Sequence, residues 1–171
     1  MPLRIPSGAL RHKRLDASPN RMLRGSQTVA EAIGNTPLIR LNRLTRGLPD
    51  SVAVYAKAEW MNPGGSVKDR AARGIVLDAI AHGKLTADGV LLDASSGNTG
   101  IAYAMLAPVL GFTLKLCLPS NANEERKKTL RAYGAELILT DPALSSDGAI
   151  IKARELSAAN PSWFYADQYN N

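Results

Sequence analysis

From residue 89 onward, short apolar runs alternate with stretches that read as helices, and this alternation leaves few folds open. GVLLDA (89–94), TLKLCL (113–118), AELILT (135–140) and WFYA (163–166) are the apolar or extended runs. Between them lie NTGIAYAMLAPVLG, NEERKKTLRAYG and SSDGAIIKARELSAAN, each long enough for a helix of ten or more residues. Strands joined through helices cannot be hairpins. They are expected to form βαβ units and a parallel sheet covered on both faces. The fold class is therefore α/β, a three-layer αβα arrangement with a mostly parallel central sheet of about four strands.

The upstream part carries the same code less cleanly. SVAVYAKAE (51–59) alternates and is rich in valine, which predicts a strand. SVKDRAARGIVLDAIAHG predicts a helix with Ser66 as N-cap, Asp69 three residues on and Gly83 as its stop. Val67, Ala71, Ile75 and Ala79 recur on it at near-helical spacing. TVAEAI opens a short helix that Gly34 and Asn35 end, and PLIRL follows as a short extended piece.

Charge divides the 171 residues unevenly. Residues 1–50 hold nine Lys or Arg against Asp16, Glu31 and Asp50, whereas residues 51–171 carry twelve of each sign. The basic excess thus belongs to the front of the chain, and nucleic-acid binding by the globular part is not expected. Residues 1–27 are expected to be a basic, disordered arm, since prolines interrupt any long amphipathic helix there. Residues 28–171 are the expected domain. No apolar stretch reaches the roughly 20 residues of a membrane span, so no membrane association and a cytoplasmic location are expected.

The single cysteine, Cys117, sits in TLKLCLP and reads as a buried strand thiol; it rules out an internal disulfide and a Cys2His2 zinc site. His12 and His82 are isolated, and no metal site is expected.

Two segments carry the chemistry. NPGGSVKDR (62–70) and SSGNTG (95–100) both lead from a strand into a helix, the position where open parallel sheets bind ligands. Neither has the spacing of a Walker A or dinucleotide loop. In SSGNTG, three hydroxyls, a glycine and the unpaired N–H groups of a helix start suit a carboxylate or a phosphate. Taken alone, an ordinary capped turn is the plainer reading. Lys68 meets the positive end of a helix dipole, which disfavours its charge. It is either an exposed first-turn lysine or an amine made nucleophilic to hold a carbonyl as a Schiff base. Asp69 and Arg70 read as structural support.

With GNTPLIRL (34–41), ERKKTLRAYGAELILT (125–140) and DQYNN (167–171), these blocks stand in an order and spacing that resemble the cysteine synthase and cystathionine β-synthase family. That family belongs to the tryptophan-synthase-β-like, fold type II pyridoxal-phosphate enzymes. The resemblance covers nearly everything after residue 30. It implies that Lys68 is the Schiff-base lysine and general base, and that Asn98 hydrogen-bonds the cofactor's phenolic oxygen. It implies that Ser95, Ser96, Gly97, Thr99 and Gln168 hold the substrate's α-carboxylate. Ser95 stands where the family usually has threonine, and the hydroxyl is retained.

The implied cofactor is pyridoxal 5'-phosphate. The implied reaction is a β-replacement making L-cysteine, or a cysteine thioether, from an activated serine and sulfide or a thiol. Alternatives are β-elimination of the serine or threonine dehydratase type, or a non-catalytic domain that binds a small carboxylate or a partner chain. The resemblance further implies that these residues are the first domain of a two-domain fold. The family's phosphate-binding loop and the residue facing the pyridine nitrogen are expected in a second domain outside the 171 residues. The chain is accordingly expected to be a fragment, inactive alone, of an enzyme that is a homodimer at full length.

Overall fold

A computed structural model describes residues 28–49 and 51–171; the basic arm over residues 1–27 lies outside the described residues. Thr28 starts the chain's regular part with a reciprocal cap. Its hydroxyl accepts from Glu31 N–H and the Glu31 carboxylate accepts from Thr28 N–H, opening α1 (Val29–Ala32). Gly34 and Asn35, both at positive φ, turn the chain into β1 (Leu38–Arg40), which pairs antiparallel with β2 (Tyr55–Lys57).

The strand expected over 51–59 is therefore much shorter, and it belongs to a separate two-stranded sheet. A ladder is only as long as its partner, and here the partner is three residues long. Beyond Ala58 a 3₁₀ turn (Glu59–Met61) takes over.

α2 (Lys68–Ala81) begins one residue later than its capping signal predicts. Its N-cap is Val67, which offers no side-chain acceptor, so Ser66 is not the cap. The Ser66 hydroxyl instead accepts the Lys68 N–H at 3.2 Å, and Asp69 turns back to Gly64 rather than to Ser66. The buried stripe is Asp69, Ala72, Val76 and Ala79, rotated from the Val67, Ala71, Ile75 spacing. Gly83, at φ 67°, ends the helix as expected.

The remaining elements follow the alternation closely: β3 (Val90–Ala94), α3 (Asn98–Leu110), β4 (Thr113–Pro119), α4 (Glu124–Ala132), β5 (Glu136–Thr140), α5 (Ser145–Ala159) and β6 (Phe164–Tyr165). They make a four-stranded, all-parallel sheet in the order β5-β4-β3-β6. Asn123 caps α4 through its side chain, and Gly134 stops it at φ 88°.

Both faces of the sheet are covered, which makes three layers. On one side Leu91, Leu114, Leu116 and Leu118 pack with Val76 of α2, Tyr103 and Leu106 of α3, and Leu130 of α4. On the other, Leu92, Ala94 and Cys117 pack with Ala149 and Ala153 of α5. The strands are thus apolar on both faces, as parallel sheets require. The register pairs Ala94 with Cys117, so the carboxyl ends of β3 and β4 lie side by side.

Candidate active site

The turn before α2 is held by a network of polar side chains. Asn62, 4% exposed, accepts the Gly34 N–H at 2.9 Å and donates to the Glu59 carbonyl at 2.9 Å and the Ser66 carbonyl at 3.1 Å. Arg70 reaches both Glu59 carboxylate oxygens, at 2.8 and 3.1 Å, and the Thr36 hydroxyl at 3.0 Å. The hydrogen bond from Arg70, then that from Thr36, hold the Glu59 carboxyl down at about 2.

Asp69, fully buried, accepts the Gly64 N–H, and a Cβ at Gly64 would fall 2.4 Å from its Oδ1. That contact requires glycine. Every member of this cluster fixes the backbone just ahead of Lys68. The Lys68 amine itself is exposed and has no hydrogen-bond or ion-pair partner among the described residues.

The second turn leaves β3 at Ala94. The Ser95 hydroxyl accepts from Gly97 N–H at 3.3 Å and Gly100 N–H at 3.1 Å, and its own N–H donates to the Cys117 carbonyl at 3.1 Å. Gly97 is the N-cap of α3, with no side-chain cap. Among the described residues the N–H groups of Asn98 and Thr99 are therefore left without acceptors at the positive end of a thirteen-residue helix. Gly100 packs so tightly that a Cβ would lie 3.1 Å from both Leu116 Cδ1 and the Ser95 carbonyl. Arg126 of α4 donates to the Ser96 carbonyl at 3.2 Å.

These two turns meet. Lys68, Ser95, Ser96, Gly97, Asn98, Thr99 and Gln168 all line one cavity of about 340 Å³ beyond the carboxyl ends of β3 and β4. All seven residues singled out in the sequence are thus brought together. Ala94, Cys117, Pro119, Ser146, Ala149, Ile150 and Tyr169 complete the wall and were not singled out for the site. Cys117 and Pro119 end a strand on the ligand-binding side, a signal the strand pattern already carried. Ser146, Ala149 and Ile150 face the cavity from the start of α5, and nothing in their local sequence marks them.

The donor set suits pyridoxal phosphate in part. A free amine, hydroxyls and unpaired backbone N–H groups stand opposite an apolar wall of Ala149, Ile150 and Pro119. Burial pushes the Cys117 thiol up to about 11, so it stays an uncharged part of that wall. Among the described residues no cluster of His, Cys, Asp and Glu could hold a metal ion, and no helix is long and apolar enough to cross a membrane.

A turn bearing a lysine and a turn bearing unpaired backbone N–H groups thus open at one mouth of a parallel sheet. Residues 29–171 match the family described as pyridoxal-phosphate dependent enzyme, and the chain belongs to that family. It is 48% identical over 147 residues to a cysteine synthase of Aquifex aeolicus, covering 85% of this chain and 45% of that protein. It is 43% identical over 144 residues to cysteine synthase B of Escherichia coli, covering 84% and 46%. The crystal structure of a cysteine synthase from Entamoeba histolytica superposes with a TM-score of 0.82 at 32% identity, covering 99% of this chain and 48% of that one. The chain spans about half the length of the relatives it matches.

Proposed function

We propose that this chain supplies the lysine and the carboxylate grip of a pyridoxal-phosphate β-replacement enzyme. The enzyme makes L-cysteine, or a cysteine thioether, from an activated serine and sulfide or a thiol. One observation carries the reading: Lys68, the 95–99 turn and Gln168 line the same cavity. The cysteine synthases among the relatives support the choice of reaction.

Bound pyridoxal phosphate supplies the electron sink that weakens bonds at an amino acid's α-carbon. The protein's part is to hold and to move protons. Lys68 is the residue that would hold the cofactor through its aldehyde, and its amine would serve as the base for the proton on the substrate's α-carbon. Asn98 contacts the cofactor's phenolic oxygen. The N–H groups of Asn98 and Thr99, the hydroxyls of Ser95, Ser96 and Thr99, and the Gln168 amide orient the α-carboxylate. Gly97 lets that carboxylate approach the backbone. The apolar wall excludes water from the reacting carbon. At the relatives' full length the enzyme is a cytoplasmic homodimer in this reading.

Reduction of the chain with borohydride in the presence of pyridoxal phosphate tests the assignment. Peptide mass mapping is expected to find the cofactor fixed to Lys68. A label on another lysine, or no label, overturns it.

A further inference from the structure

Beneath the 95–100 turn lies a carboxyl that neither the cavity nor the core explains. Asp93 is the residue of β3 just before Ala94, and it is 1% exposed. Its Oδ1 accepts the Ala94 N–H at 2.8 Å. Its Oδ2 is buried with no hydrogen bond, and so is the hydroxyl of Tyr103 on α3, a residue with no exposure at all. Burial pushes the Asp93 carboxyl up to about 7 against the pull of the Ala94 N–H, with the charge of Asp167 adding to the rise. A buried carboxyl of this kind is a liability to stability, and an apolar residue of similar size would suit the α3 side of the sheet better.

Its surroundings suggest what it does instead. β6 is only two residues long, and its last ladder bond runs from Ala166 N–H to the Leu92 carbonyl. The next acceptor along β3, the Ala94 carbonyl, takes the Gln168 side-chain amide at 2.9 Å. Ala94 is therefore held at both ends by side chains, its N–H by Asp93 and its carbonyl by Gln168. The turn with the free Asn98 and Thr99 N–H groups starts at the next residue.

We propose that Asp93 is a positioning residue: its carboxyl, set against Tyr103, fixes the Ala94 backbone and thereby aligns Gln168 with the 95–99 turn for gripping an amino acid's carboxylate. This rests on the carboxylate-binding role proposed above for those residues. Asparagine at position 93 keeps an acceptor for Ala94 N–H and offers a donor to Tyr103, whereas alanine keeps neither.

The test uses the full 171-residue chain, L-serine as the probe, and amide NMR. Asp93→Ala is expected to shift the Gln168 side-chain amide and the Asn98 and Thr99 N–H signals, and to weaken L-serine at least tenfold. Asp93→Asn is expected to restore both signals and affinity to within about threefold. Where Asp93→Ala fails to fold, Tyr103→Phe takes its place and is expected to move the same signals and weaken L-serine several-fold. Unmoved signals with unchanged affinity overturn the proposal, and so does an equal loss in Asp93→Asn and Asp93→Ala. If the Gln168 and turn signals respond as expected but the wild-type chain takes up no L-serine, the carboxylate-binding reading falls and the positioning role stands.

Discussion

Arg126 Nη1 donates to the Ser96 carbonyl at 3.2 Å, tying the first turn of α4 to the middle of the 95–100 turn. The bond is exposed, so its net worth is small, within about 1 kcal/mol. Its effect is local. Arg126→Ala is expected to leave the denaturation midpoint nearly unchanged while hydrogen exchange at residues 96–99 accelerates.

Among the described residues the Lys68 amine has no hydrogen-bond or ion-pair partner. Lys68→Ala is expected to change stability by no more than about 0.5 kcal/mol. In the same protein, borohydride no longer fixes pyridoxal phosphate to the 62–70 segment. Urea denaturation and peptide mapping on one preparation check both halves.

Gly64→Ala drives a methyl to within 2.4 Å of the Asp69 carboxylate, which is buried and cannot retreat to solvent. Loss of the Gly64–Asp69 hydrogen bond and the clash together are expected to cost about 1–3 kcal/mol. Gly65→Ala meets no atom within 4 Å but sits at φ 79°. It is expected to cost about 1 kcal/mol through backbone strain alone. Paired urea melts separate the two.

Two carboxyls give the stability curve opposite slopes at different pH. Asp93 is raised from 3.8 to about 7, so its contribution is fully present below pH 3.8 and is lost as pH rises through 7. Glu59 is lowered from 4.5 to about 2, so its contribution is present above pH 4.5 and is lost as pH falls through 2. Urea melts of the wild-type chain between pH 5 and 8 are therefore expected to show falling stability, by at most about 3 kcal/mol. Asp93→Asn is expected to flatten that fall. A wild-type curve already flat across this range shows the assignment to be wrong.

The four-stranded sheet was legible because its strands are apolar runs bounded by glycine or a polar turn, with the central β3 and β4 largely buried. The short hairpin was misread as a longer strand because valine alternation at 51–54 marks propensity, and strand length depends on a partner. Ser66 looked like a cap because its residue type and its spacing to Asp69 fit. Asp69 instead accepts from the backbone N–H of Gly64, and Ser66 serves Lys68 two residues on. In the cavity, the glycine-bearing turns announced themselves, whereas Ala149 and Ile150 reach it only through the packing of α5 across the sheet. Asp93 was hidden as a polar residue inside an apolar run, and only its burial reveals it.

The apolar part of the buried stripe of α2, Ala72, Val76 and Ala79, belongs to a helix that packs against α3, which carries the N–H groups of Asn98 and Thr99. Small side chains along that seam act like the closed jaws of a caliper, setting the span between the Lys68 amine and the 95–100 turn. A bulkier residue at Ala72 would spread the jaws and carry the Lys68 amine away from the 95–100 turn.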